Sequence, residues 1–244
     1  MKKVLSYLLT PFFYIAFYLV LLIFHPIQWI CYNFFGYDVH KKSVDFLNGA
    51  LVACYFIMGT KVSFINKQNL PQGRTILFIS NHQSLFDIPT MIWFLRKYKP
   101  KFVSKIELGK TFPSIGYNLH KSGAALVDRT DALQALAEIE RLGKFIHEKS
   151  YSAILFPEGT RSRTGIMKTF TYRGFAKLIE CNPTALIVPV AIENAWKMQK
   201  YGTFPLSFGE QITWTVLSAL EQEGKSIEEI VSLAESAIRK QLRQ

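Results

Sequence analysis

Hydrophobic and polar positions divide the chain into two regimes. From Val4 to Tyr37 no Asp, Glu, Lys or Arg occurs. The core of that run, VLSYLLTPFFYIAFYLVLLIF (Val4 to Phe24), is long enough to cross a hydrocarbon layer of ~30 Å. It is too long for a signal peptide, and the small-residue cleavage site is missing. A second apolar patch, FLNGALVACYFIMG (Phe46 to Gly59), is short for a full span. Pro11, Pro26 and Trp29 suggest broken helices with an interfacial part. Two shapes compete, one true span or a helical hairpin dipping into one leaflet. Lys2 and Lys3 before the run, with Lys41 and Lys42 after it, do not decide orientation. A hairpin keeps both basic clusters and the following domain on the cytoplasmic side, and it is the favoured expectation.

From Lys61 the texture changes. KVSFI reads as a strand and NKQNLPQGR as a turn, and TILFIS (Thr75 to Ser80) is a buried strand rich in branched and aromatic residues. A helix is expected near Pro89 to Tyr98. KFVSK (Lys101 to Lys105) and AALVD (Ala124 to Asp128) follow as short strands. Thr130 is placed to cap a helix whose stripe is Leu133, Leu136, Ile139 and Leu142. SAILFP is another buried strand, GFAKLIE a helix and ALIVPVAI a strand. The C-terminal SIEEIVSLAESAIRKQLRQ opens with a capping box, Ser226 and Glu229. This alternation predicts an α/β fold: a central mixed, largely parallel sheet flanked by helices. The expected division is residues 1–60 as an N-terminal membrane-associated helical segment and 61–244 as the catalytic domain.

Composition changes the picture in one respect. The formal net charge of +11 fits a nucleic acid, an anionic membrane or an anionic small substrate. The basic residues are scattered, however, without a dense block, a basic helical stripe or a zinc-finger, basic-zipper or RNP-like signature. Twenty Phe and eleven Tyr among them favour a membrane surface over a nucleic acid. Cys31, Cys54 and Cys181 form no ligand pair, and the five histidines show no metal-ligand spacing, so no metal is expected.

In an α/β sheet the ligand crevice lies beyond the strand ends. Polar residues stand there four times: Asn81-His82, Lys105, Asp128-Arg129, and Glu158-Gly159-Thr160-Arg161. On a regular helix five residues turn a side chain about 140° away, so His82 and Asp87 meet only if His82 lies in the turn before the helix. Asp87 could then fix the imidazole tautomer and leave the other nitrogen to accept a proton. The alternative is an ordinary loop histidine and a helix-start aspartate. Pro157 and Gly159 shape a tight turn, and Arg161 has the fork geometry that binds phosphate. Ser84 lacks a G-x-S-x-G surround, which argues against a serine hydrolase.

NHQSLFD, GAALVDR, FPEGTRS and IVPV occur in that order. The pattern resembles the PlsC-like glycerolipid acyltransferases, and within them the 1-acyl-sn-glycerol-3-phosphate acyltransferases. The match covers roughly residues 60 to 195 and extends to the N-terminal segment. The resemblance implies transfer of a fatty acyl group from an acyl thioester, acyl-CoA or acyl-carrier protein, to the sn-2 hydroxyl of lysophosphatidate, with no bound cofactor and no acyl-enzyme. It implies His82 as general base and Asp87 as its support. Arg129, Glu158, Gly159, Thr160 and Arg161 match the acceptor-binding positions, Pro189 the pocket-shaping proline, and Lys105 a further phosphate contact. The chain departs at FTYRGF, where Thr171 holds the usual lysine position and Arg173 stands in for the cation. Another lysophospholipid or a lyso-aminolipid as acceptor, or a non-catalytic membrane-binding protein, are the alternatives. The partners implied are the lipid bilayer, lysophosphatidate and the thioester donor. The place implied is the cytoplasmic membrane, with the catalytic domain on the cytoplasmic side.

Overall fold

A computed structural model of the chain describes residues 1–111, 113–128 and 130–244. Among the described residues seven strands form one sheet: β1 (Lys61–Asn66), β2 (Ile76–Ser80), β3 (Pro100–Lys105), β4 (Ala125–Val127), β5 (Ser152–Leu155), β6 (Leu186–Glu193) and β7 (Gln211–Val216). Their order is β1-β7-β6-β2-β5-β3-β4. Strands β2 to β6 run parallel, β7 pairs antiparallel with β6, and β1 pairs parallel with β7. The expected mixed, largely parallel sheet is therefore present. β2 and β5 are buried throughout, which is why they read as unbroken apolar runs.

Helices α3 (Asp87–Phe94), α4 (Leu108–Thr111), α5 (Ile115–Lys121), α6 (Ala132–Lys149), α7 (Arg173–Cys181) and α8 (Ile227–Leu242) accompany the sheet. One apolar layer joins Leu77, Ile79, Ala153 and Ile187 to Leu142, Phe175 and Ile238 of α6, α7 and α8. The capping box at Ser226 and Glu229 is formed as expected. The cap of α6 is not Thr130. Asp131 accepts from the amides of Leu133 and Gln134, while Thr130 is engaged by Asp128. Leu133 lies in the first turn of α6 and is exposed, so the buried stripe begins further on, with Ile139, Leu142 and Ile146.

The N-terminal helix α1 (Lys2–Phe35) runs unbroken through Pro11 and Pro26, contrary to the expected breaks. Each proline removes one backbone donor, but the turns on either side carry the helix on. The break falls at Gly36, whose φ of +80° starts α2 (Tyr37–Cys54) in a new direction. The patch from Phe46 to Gly59 spends much of its apolar surface inside the protein. Leu47, Leu51, Val52, Tyr55 and Met58 are buried, and Tyr55 and Met58 share a core with Phe13, Phe86 and Met91.

α1 is long and apolar enough to cross a bilayer. It nevertheless stays in contact with the rest of the chain along its length. Ser6 Oγ accepts from the Phe208 amide (3.0 Å), Ser114 Oγ donates to the Leu21 carbonyl (2.7 Å), and Asn33 donates to Tyr117 Oη (3.2 Å). From Ser6 to Asn33 that is about 40 Å of helix. Its other side exposes Leu8, Phe12, Ile15, Leu19 and Ile23. An apolar face of this extent marks the membrane-associating element.

Lys101 in β3 is buried beside Tyr37 and Tyr151, with His40, Lys41 and Asp45 close by. Its ammonium donates to Tyr37 Oη and faces the rings of Tyr37 and Tyr151 at 5.1 Å. Burial, with Lys41 adding repulsion, pushes its pKa down to about 7. An unfolded lysine keeps its proton to about pH 10.4. Above about pH 7 the unfolded state therefore holds more protons than the folded one, and stability rises with pH. Lys101→Met is expected to flatten that rise between about pH 7 and 9. It should also raise the melting temperature at neutral pH by a few degrees, at about 2–4 °C per kcal/mol. Thermal melts of both proteins across that range check this, and an unchanged slope in the variant would refute it.

Candidate active site

The C-terminal ends of the five parallel strands fall on one edge of the sheet, and the motif turns leave from there. At the end of β2, Ser80 Oγ donates to the Val190 carbonyl (2.7 Å). Asn81 then pairs its whole amide with one residue of β6, donating to the Ile192 carbonyl (2.9 Å) and accepting from its N–H (2.7 Å). The start of the NHQSLFD turn is thus tied to the neighbouring strand by two buried bonds.

His82 to Phe86 are not helical, and α3 begins only at Asp87. The chain turns back, and the five-residue separation closes to 2.8 Å between His82 Nδ1 and Asp87 Oδ2. That oxygen also accepts the amides of Gln83 (2.7 Å) and Ser84 (2.9 Å). Asp87 is fully buried, whereas the His82 side chain is 14% exposed. The ring stacks on Phe156, centroids 4.1 Å apart. With Nδ1 occupied, Nε2 is the imidazole nitrogen that can exchange a proton with a ligand.

FPEGTRS connects to this turn through Glu158. One carboxylate oxygen accepts the His82 amide (2.7 Å) and the other the Lys168 amide (2.9 Å). Burial raises the Glu158 carboxyl above the ordinary range, and the two N–H bonds pull it back. The Ser162 amide donates to the His82 carbonyl (2.7 Å), so two motifs 76 or more positions apart in the chain are bonded on both sides of His82. Gly159 takes φ +68°, and a Cβ there would meet no atom within 4 Å. The glycine serves the backbone, and the space above it is open to a ligand.

The remaining expected residues are placed as follows. Thr160 Oγ1 accepts from Lys168 Nζ at 2.6 Å, and Arg161 is exposed on the same turn. Lys105 is exposed at the end of β3, two strands from β2. Arg173 is exposed at the start of α7, and its neighbour Thr171 bonds back to the Pro157 carbonyl (N–H 3.0 Å, Oγ1 2.7 Å). Pro189 lies within β6 beside Ile79. Its missing N–H falls between two pairings, where Leu217 bonds its carbonyl and Ile187 bridges to Leu220. Arg129 lies outside the described residues.

Sequence reasoning passed over three supports. Asn81 and Ser162 sat inside the motifs without a role. Gln199 stands at the end of a short 3₁₀ helix, Ala195–Gln199, and carried no signal. Its Oε1 accepts from Ser84 Oγ (3.2 Å) and lies 3.5 Å from the Leu85 amide, bracing the turn between His82 and Asp87.

A membrane-associated α/β protein with a His–Asp pair at its strand ends is the class that this fold and site define. The chain belongs to the acyltransferase family, whose model matches residues 61–193. The whole chain aligns with the crystal structure of the 1-acyl-sn-glycerophosphate acyltransferase PlsC of Thermotoga maritima, with TM-score 0.77, 20% identity and 97% of that chain covered. It is 26% identical over 179 residues to a 1-acyl-sn-glycerol-3-phosphate acyltransferase of Chlamydomonas reinhardtii, covering 73% of this chain and 52% of that protein. Against the chloroplastic 1-acyl-sn-glycerol-3-phosphate acyltransferase of Arabidopsis thaliana it is 28% identical over 144 residues, covering 59% and 39%. The chain thus spans about half the length of these curated relatives, or less.

Proposed function

We propose that the protein transfers a fatty acyl group from an acyl thioester to the sn-2 hydroxyl of 1-acyl-sn-glycerol-3-phosphate, giving phosphatidate. The observation that carries this reading is the His82–Asp87 pair, bonded through Glu158 to the FPEGTRS turn. In this reading Nε2 of His82 takes the hydroxyl proton as the oxygen attacks the thioester carbonyl. Asp87 supports the imidazolium. The tetrahedral intermediate collapses by breaking the carbon–sulfur bond, and His82 returns the proton to the thiolate. Both half-steps balance without an acyl-enzyme.

Arg161, with Thr160 and the open face of Gly159, forms the nearest part of the phosphate site. Lys105 and Arg173 are assigned as further cations, Arg129 as a phosphate contact on the strength of its motif alone, and Pro189 shapes the pocket. Glu158 acts as a brace in this scheme, since both its oxygens are committed to backbone amides. Functionally, residues 1–60 seat the protein in the membrane and 61–244 perform the chemistry. The long lateral contact of α1 with the rest of the chain favours a seat in one leaflet. The catalytic domain is assigned to the cytoplasmic side, where a hairpin keeps the basic clusters Lys2-Lys3 and Lys41-Lys42. The donor is acyl-CoA or acyl-carrier protein.

The test is an assay of the purified full chain in lipid vesicles. Both thioester donors are supplied with lysophosphatidate and, separately, with lysophospholipids of other head groups and a lyso-aminolipid. The expected result is phosphatidate, with lysophosphatidate preferred. Preference for an acceptor lacking the terminal phosphate would sink the acceptor assignment, and no transfer to any acceptor would sink the enzyme.

A further inference from the structure

We propose that residues 196–206 are a second lipid-contacting element, seated in the headgroup region of the bilayer beside the N-terminal half of α1. This segment is docked on the helix. The Leu206 amide donates to Thr10 Oγ1 (2.9 Å), and Tyr14 Oη donates to the Thr203 carbonyl. Phe204 is 52% exposed and packs edge-to-face on Tyr7, itself exposed, with centroids 5.7 Å apart. Phe204 thus lies exposed beside Tyr7 and Tyr14, at the border of the exposed surface of α1.

Its charge suits the same occupant. Lys3 and Lys200 both lie over the ring of Tyr201, at 5.8 and 5.2 Å, and Lys197 stands on the preceding turn. Glu210 pairs with Lys200. An exposed aromatic residue at the tip, with tyrosine and lysines set behind it, is the arrangement that partitions into the interface. Lysines attract anionic headgroups there. This surface adjoins the exposed length of the membrane-associating helix α1, and with its lysines it matches an anionic bilayer, which is the occupant assigned.

The placement links the membrane to the site. The segment's own Gln199 braces Ser84 and Leu85 in the turn that holds His82 and Asp87. Seating the loop in the headgroups therefore sets the height of that turn above the lipid. The lipid contact itself does not depend on the acyl-transfer reading.

The test places one tryptophan at the tip of the full-length protein, Phe204→Trp, reconstituted in vesicles of zwitterionic and anionic phospholipid. Its emission is obtained by difference from the parent. Tyr201→Trp is a second reporter, and Leu133→Trp, at an 82% exposed position on α6, is the aqueous reference. The added indole at 204 is expected to shift to the blue. It should be quenched by lipids carrying a nitroxide near the headgroup and be several-fold less sensitive to iodide than the reference. Iodide quenching equal to the reference at both 204 and 201 overturns the proposal. Shielding from both quenchers also overturns it, because protein rather than lipid would then cover the loop.

Discussion

His82→Ala is expected to lower the acyl-transfer rate by about 10²–10⁴-fold, the range a positioned general base contributes. The fold should survive the change. Asp87 Oδ2 keeps the amides of Gln83 and Ser84 after the imidazole is gone. The His82 backbone keeps Glu158 on its N–H and Ser162 on its carbonyl. The turn is therefore held by groups that the substitution does not touch, and the lost packing is one ring face against Phe156. The measurement is kcat and KM for lysophosphatidate, with a thermal melt and vesicle flotation as controls. A variant that melts and floats like the parent but has lost its rate places the effect in the chemistry. Retention of more than about a tenth of the parental kcat would remove His82 from the role of base.

Much of the sheet was legible because its strands are buried on both faces. The runs TILFIS, SAILFP and ALIVPVAI need no partner to be recognised, and the polar residues just beyond them mark the edge where a site can form. β7 is short and only half buried, with Ile212, Trp214 and Val216 alternating inward, so it stands out less from the sequence. It also supplies the antiparallel pairing that an α/β alternation does not announce. α4 and α5 were hidden by the glycines and proline of ELGKTFPSIG. At the start of α6, Thr130 and Asp131 are both cap-type residues. Which of them bonds the helix depends on Asp128 holding the threonine. Local spacing argued against His82 meeting Asp87 on a helix, and the structure resolves this by delaying the helix until Asp87 itself. Long-range bonds were beyond reach: Gln199 braces Ser84 from 115 positions away. Nothing near Glu158 in sequence shows that its carboxylate faces two backbone amides.

Those two amides make Glu158→Gln a severe change for a nearly isosteric one. The carboxylate offers one oxygen to the His82 N–H and the other to the Lys168 N–H. A glutamine offers one oxygen and an NH₂. In either orientation a donor confronts a donor, and one backbone N–H loses its partner. Glu158 is 7% exposed, so water replaces that partner poorly. Losing such a charge-assisted bond costs about 1.5–3 kcal/mol. If the cost falls on the geometry of His82, it corresponds to about a 10–160-fold drop in kcat. The acceptor KM should change little, because the carboxylate does not face the ligand in this arrangement. Backbone exchange should speed up at His82 or Lys168, whichever amide is released. The opposite split, a raised acceptor KM with kcat unchanged, would make Glu158 a ligand for the acceptor and leave the position of His82 to Asn81, Asp87 and Ser162 alone.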